Sequence, residues 1–216
     1  MKITVVGAHG SIAMLLHPIL IENGHSVRGI IRKDEQADDL KELGVEPVVA
    51  DIEELDDISG AVGDADAVLF AAGAGPGSGA ERKWTVDRDG AIKLIDACIN
   101  NGIDRYVMIS AMGLDQPRGN EVFQVYQAAK AEADETLRNS RLKYTIVKPG
   151  RLTDEPGTGK VSIGKNLERG EVPREDVASV LAEVFDTPET VGMEFDLVSG
   201  DQFISEALTE LTHIGN

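Results

Sequence analysis

Tyr126 and Lys130 stand four residues apart in the stretch Tyr126-Gln127-Ala128-Ala129-Lys130. On a helix that spacing puts a phenol and an ammonium on one face, within reach of each other. An ammonium stabilises phenolate, which predicts a Tyr126 pKa lowered toward neutrality and a transferable proton. Lys130 also has donors to offer to sugar hydroxyls. Ser110 follows the apolar run Tyr106-Val107-Met108-Ile109; a hydroxyl there can donate to a substrate carbonyl and turn it toward Tyr126. Taken alone, such a pair is more often a chance surface pairing than a site. What precedes it in the chain favours acid–base chemistry.

Near the N-terminus, Ile3-Thr4-Val5-Val6 runs into Gly7-Ala8-His9-Gly10-Ser11-Ile12-Ala13, a G-x-x-G-x-x-A spacing. Gly7 permits a tight turn, Gly10 lets the main chain approach a pyrophosphate, and Ala13 lets the helix lie close to the strand. Phosphate oxygens would then meet free N–H groups, including those of Ser11 and Ile12, at the positive end of that helix. A purely structural turn is the alternative. His9 is either solvated or in reach of phosphate.

Arg32 and Lys33 follow the second apolar run, where sites for NAD commonly carry an acid for the ribose 2′-hydroxyl. Two cations without an acid favour NADP. Asp51 can accept from an adenine amino group while Ile52 packs on the ring; a cap on a following helix would use the same aspartate. Ala71, Ala72 and Gly73 offer small residues where a ribose could lie against the main chain.

Elements must position these groups. Apolar runs at 3–6, 27–31, 45–49, 67–70, 106–109 and 144–147 read as strands. Helical periodicity fills the intervals to about residue 22, then 34–43, 82–101 and 121–139. Continuous apolar strands between amphipathic helices predict a doubly wound α/β fold with a parallel sheet, a single Rossmann domain. Pro18 should kink or restart the first helix near His17. Residues 1–150 form the expected cofactor-binding core and 151–216 a small substrate-side elaboration. In the latter, 153–164 reads as a long loop with a short strand at 160–163, followed by a helix from 173 to about 185, a strand at 195–198 and a helix at 204–211.

Thirty-eight acidic against 21 basic residues give a net charge of −17 over 216 residues. Such a surface repels nucleic acid and anionic lipid; it suits an ordinary acidic protein or one adapted to salt. No apolar run approaches the roughly 20 residues of a membrane helix. The N-terminus does not read as a signal peptide, and Cys98, the one cysteine, sits at helical spacing with Ile92, Ile95 and Ile99 and is expected to be buried. A reducing, cytoplasmic location is expected. No His, Cys and Asp grouping has metal-ligand spacing.

The chain resembles the compact, atypical short-chain dehydrogenase/reductases, near NmrA-like proteins and small NAD(P)-binding sugar epimerase/dehydratase-type proteins. The likeness spans roughly residues 1–200 and rests on the glycine loop, Asp51-Ile52, Ala71-Ala72-Gly73, Ser110, Tyr126 with Lys130, and Lys148-Pro149-Gly150-Arg151-Leu152. It implies hydride transfer with Tyr126 as acid/base, Lys130 on the ribose and Ser110 polarising a carbonyl. It also implies that Pro149, Gly150 and Leu152 lie beside the nicotinamide. Ser110 is followed by Ala111-Met112-Gly113 where the family often has a Ser or Thr pair, and Asp87 stands where many members have Asn. The expected function is an NAD(P)-dependent oxidoreductase or epimerase/dehydratase-like enzyme on a small carbonyl or sugar-derived substrate, as monomer or homodimer. The other reading is a non-catalytic NADP-binding regulator of the NmrA-like kind.

Overall fold

The computed structural model describes residues 1–75 and 77–214. In chain order its elements are β1 (Lys2–Val6), α1 (Ser11–Glu22), β2 (Ser26–Ile31), α2 (Ala37–Glu42), β3 (Glu46–Val49), α3 (Ser59–Val62), β4 (Ala67–Phe70), α4 (Ala80–Arg82), a π-helical segment (Lys83–Gly90), α5 (Ala91–Asn101), β5 (Arg105–Ile109), α6 (Glu121–Arg138), β6 (Lys143–Pro149), β7 (Arg151–Thr153), β8 (Lys160–Gly164), β9 (Glu171–Pro173), α7 (Arg174–Asp186), β10 (Met193–Ser199), β11 (Gln202–Phe203) and α8 (Ile204–Ile214). One sheet of nine strands runs β11-β8-β10-β6-β5-β4-β1-β2-β3. From β3 to β10 its pairs are parallel, with β1 flanked by β2 and β4; β8 and β11 close the far edge antiparallel.

Both faces of this sheet are covered, and side-chain alternation shows it. Ile3 and Val5 of β1, Ala67 and Leu69 of β4, and Val107 and Ile109 of β5 join one core, with residues of α1, α7 and α8. Val6, Val68, Phe70, Tyr106 and Met108 join the other, with residues of α3, α5 and α6. This is why the strands read as continuous apolar runs. The expected doubly wound fold is the observed one. Cys98 is fully buried, and burial pushes its thiol up to about 12.

Four local expectations are corrected. Helix α1 continues unbroken through Pro18 from Ser11 to Glu22. Proline removes one backbone bond, but Ala13, Leu16, His17 and Leu20 stay buried along one stripe and hold the helix against the sheet and α7. The fourth interval starts as helix at Ala80, and its first part winds as a π-helix over Lys83–Gly90. No helix begins at Asp51: the main chain turns there, and α3 starts only at Ser59. The expected loop after 153 is bracketed by β7 and β9, which pair in parallel as a separate two-stranded sheet. Residues after 150 also extend the main sheet, because β10 pairs with β6 from Met193↔Thr145 to Leu197↔Pro149.

No helix among the described residues is long and apolar enough to cross a membrane.

Candidate functional site

The glycine loop lies at the carboxyl end of β1, where the strand order changes direction between β2 and β4. Gly7 has φ +82°, and the Ala72 Cα would stand 2.6 Å from any Cβ placed on it. Only glycine allows both the left-handed turn and this approach. Gly7 and Ala8 donate their N–H groups to the Ile30 carbonyl at 3.2 and 3.1 Å. Gly10 caps α1 in extended conformation without a side-chain acceptor, and no acid sits in the first turn. The N–H groups of Ser11 and Ile12 thus open the helix with no side-chain cap and no carboxylate in its own first turn.

His17 holds this loop from below. Its ring is completely buried, and Nε2 donates to the Ala8 carbonyl at 2.8 Å. Burial lowers its pKa, which keeps the imidazole neutral. His9 lines the cleft, and its Nε2 lies 2.7 Å from Asp39 Oδ2 on α2.

A cleft of about 260 Å³ opens over the loop. Of the residues singled out by sequence, Gly7, His9, Gly10, Arg32, Asp51, Ile52, Ala71, Ala72 and Gly73 line it. Ser11 and Ile12 start the adjoining helix. Lys33 is exposed, and its N–H donates to Gln36 Oε1 at 3.2 Å. Pro149 ends β6 and Gly150 follows it, with Leu152 in β7; the Gly150 N–H donates to the Leu197 carbonyl at 2.9 Å, and the Gly170 carbonyl oxygen would stand 2.3 Å from a Cβ on Gly150. Those three lie outside the lining of this cleft.

Asp51 Oδ1 accepts from the Glu53 N–H at 2.9 Å, so the aspartate braces a turn while also lining the cleft. That turn carries Glu53, which sequence reading missed. Glu53 Oε2 lies 4.0 Å from Arg32 Nη1 and 2.5 Å from Arg82 Nη2, and Oε1 accepts from Thr85 Oγ1 at 2.7 Å. Arg82, foremost, holds the Glu53 carboxyl below its usual range. The expectation of cations without an acid is therefore corrected: β3 lies beside β2, and the turn after it brings a carboxylate to Arg32. No sequence-local signal marks this pairing across 21 positions.

At the other side, α6 presents Tyr126, Lys130 and Asp134 at successive four-residue steps. Lys130 is buried; its Nζ donates to the Ile109 carbonyl at 3.1 Å and lies 3.6 Å from Asp87 Oδ1. Asp87, from the π-segment, also accepts from the Ala74 N–H at 3.2 Å. Tyr126 stacks on Phe123, with ring centroids 5.7 Å apart, and Lys83 Nζ lies 5.6 Å from its ring centre. Lys83 Nζ donates as well to the Gly75 carbonyl at 2.9 Å. The expected lowering of the Tyr126 pKa is corrected: burial, then the Asp87 and Asp134 charges, raise it well above the ordinary phenol value.

Ser110 is buried at the end of β5 and gives its hydroxyl proton to Asp134 Oδ2 at 2.8 Å. Asp134 was not singled out by sequence, although extending the Tyr–Lys step by one turn reaches it. Its carboxyl is 1% exposed, and burial raises its pKa to about 6. Among the described residues no group of three or more His, Cys, Asp or Glu side chains could hold a metal ion.

The loops of residues 74–81, 113–122 and 152–170 flank this end; of them, Pro76 lies outside the described residues. They are tied down by side chains. Buried Gln127 accepts from the Arg118 N–H at 2.9 Å and donates to the Gly113 carbonyl at 3.2 Å. Asp176, in the first turn of α7, accepts from the N–H groups of Thr158 and Gly159 at 3.0 and 2.8 Å. Arg151 pairs with Glu171 at 2.8 Å, and Arg118, Arg151 and Arg169 are all exposed.

A doubly wound sheet with an uncapped glycine-loop helix at its switch point defines a dinucleotide-binding type of protein. The profile of the NAD(P)H-binding family matches residues 7–188. Over 214 residues the chain is 41% identical to the uncharacterized sugar epimerase YhfK of Bacillus subtilis, covering 98% of this chain and 100% of that one. A Bacillus halodurans structure assigned to the NAD-dependent epimerase/dehydratases superposes with a TM-score of 0.92 at 40% identity, covering 98% of this chain and 100% of the other. A short-chain dehydrogenase/reductase from Veillonella parvula, in complex with NADP, shares the fold at a TM-score of 0.73 and 17% identity, covering 92% and 94%. The chain belongs to the NAD(P)H-binding family, on the atypical short-chain dehydrogenase/reductase side that its motifs resemble.

Proposed function

We propose that the protein is an NADP-dependent oxidoreductase or epimerase/dehydratase-like enzyme acting on a small carbonyl or sugar-derived substrate. The observation that carries the reading is a chain of contacts: the Gly7–Gly10 loop, Arg32 and Ala74 line one cleft, the Ala74 N–H donates to Asp87, and Asp87 pairs with buried Lys130, one helical turn after Tyr126 on α6. The residues fit the cofactor. The loop has the space only glycine leaves, and the uncapped helix start suits a pyrophosphate at the Ser11 and Ile12 N–H groups. Arg32 and Lys33 would take a 2′-phosphate, Asp51 and Ile52 the adenine, Ala71 to Gly73 a ribose, and Pro149, Gly150 and Leu152 would border the nicotinamide.

When bound, the nicotinamide supplies or receives the hydride. Tyr126 supplies the proton: with its pKa raised it is a neutral phenol at physiological pH, poised to donate at Oη to a developing alkoxide. Lys130 donates one ammonium proton to the Ile109 carbonyl and is paired at 3.6 Å with Asp87, which leaves protons for a ribose hydroxyl. Ser110 would polarise the carbonyl, a role that requires its proton to leave Asp134. The proposed context is a small-molecule substrate, neither nucleic acid nor membrane as partner, a cytoplasmic location, and a monomer or homodimer.

A second reading is a cofactor-binding regulator without turnover. The Ser110 proton already committed to Asp134 favours it. Calorimetry with NADPH and NADH on wild type and Arg32→Ala tests the shared core. Tighter NADPH binding that Arg32→Ala erases is expected; no heat with either coenzyme overturns both readings. Oxidation of NADPH across a panel of carbonyl compounds favours the enzyme, and binding without consumption favours the regulator.

A further inference from the structure

Two guanidinium groups reach one carboxylate at the Arg32 end of the cleft. Arg82 binds Glu53 through Nε at 3.2 and 3.1 Å and through Nη2 at 2.5 Å. Arg32 Nη1 stands at 4.0 Å, and Thr85 Oγ1 adds a further bond at 2.7 Å. Arg32, Glu53 and Arg82 all line the cleft, and each remains partly exposed, so a ligand can reach them. Guanidinium forks prefer a doubly charged phosphate monoester to a single carboxylate, and they bind both by the same planar geometry. Glu53 therefore sits where such a phosphate would make its best contacts, and it neutralises one of the two cations before any ligand arrives.

Resting on the coenzyme reading above, we propose that Glu53 is the residue that sets NADP against NAD selectivity: it is an internal counterion that a ribose 2′-phosphate displaces from Arg82, so that Arg82 joins Arg32 on the phosphate. NAD presents only a hydroxyl there and leaves the Glu53–Arg82 pair in place. The carboxylate thus opposes NADP twice, by occupying Arg82 and by its charge, and the phosphate recovers part of this by capturing a second guanidinium.

A double-mutant cycle read by calorimetry with NADPH and NADH separates these effects. Glu53→Gln should tighten NADPH about tenfold and change NADH by less than about threefold, a charge-assisted contact being the difference. Arg82→Met should weaken NADPH by a similar factor. In the Arg82→Met background, Glu53→Gln should lose most of its effect. If it keeps the full effect there, Glu53 acts on Arg32 by charge alone and the exchange of Arg82 is overturned. If the NADPH to NADH ratio does not move in Glu53→Gln, the selectivity role is overturned while coenzyme binding stands. If wild type binds neither coenzyme, the reading beneath the proposal fails as well. Unchanged thermal melting of the free variants separates these outcomes from misfolding.

Discussion

Ser110 and Asp134 form a hydroxyl–carboxylate pair, 2.8 Å apart and buried, that joins the end of β5 to α6 one turn beyond Lys130. The second carboxylate oxygen, Oδ1, has no hydrogen-bond partner among the described residues. Lys148, Lys130 and Arg138 favour the charged form, but burial outweighs them and the pKa rises to about 6.

This makes stability depend on pH in a definite direction. The native pKa of Asp134 lies above the ordinary aspartate value, so the native state holds this proton more tightly than the unfolded chain. Its contribution is full where the native carboxyl is protonated, and it is lost as pH rises from about 4 through about 6. At about 1.4 kcal/mol per unit the swing is on the order of 3 kcal/mol. Asp134→Asn cannot titrate. Denaturant unfolding of both proteins across that window should show wild type losing ground to the variant as pH rises. Parallel curves would mean that Asp134 is ionised without penalty.

Gly7 and Gly24 separate two costs of a side chain. Both have left-handed backbones, φ +82° and +81°, but a Cβ on Gly24 meets nothing within 4 Å among the described residues, whereas one on Gly7 meets Ala72 main chain. Gly24→Ala should cost about 1 kcal/mol. Gly7→Ala should cost that plus about 1–3 kcal/mol of overpacking, and should weaken coenzyme binding. Equal losses in urea unfolding would show that the loop moves aside freely.

Arg105 lies at the amino end of β5 as a half-buried cation without a carboxylate partner among the described residues. Its guanidinium donates to the Lys143 and Val184 carbonyls at 3.0 and 3.3 Å and to Thr145 and Thr190 hydroxyls at 2.8 and 3.1 Å. Burial lowers its pKa to about 10. A lysine has three protons in a compact head and cannot span these acceptors. Arg105→Lys should lower unfolding free energy by about 2 kcal/mol; a change within about 0.5 kcal/mol would class the group as surface-like.

Tyr126→Phe removes the phenol hydroxyl and keeps the ring on Phe123. Under the enzymatic reading, turnover should fall at least about 100-fold, as for loss of a general acid. NADPH affinity should stay nearly constant, because Tyr126 does not line the loop cleft. Full turnover in the variant would take Tyr126 out of the chemistry.

Much of this arrangement was legible from local pattern. Strand runs buried on both faces, glycines at a strand–helix junction, and the Tyr126–Lys130 step are all set by neighbours within a turn or a few residues. Pro18 was misread because tertiary burial of one helix stripe outweighed a single lost backbone bond. Tyr126 was misread because spacing reveals a nearby cation but not the burial or the two aspartates that act on the phenol.

Local pattern alone specified the alternation of strands and helices, the place of the glycine loop and one face of α6, since each follows from short-range periodicity and backbone sterics. Only the tertiary structure decided that Glu53 faces Arg32 and Arg82, that Ser110 gives its proton to Asp134, and that Asp176 holds the Thr158–Gly159 turn. Those partners come from different strands and turns, and their meeting depends on sheet order and register, which no local pattern encodes.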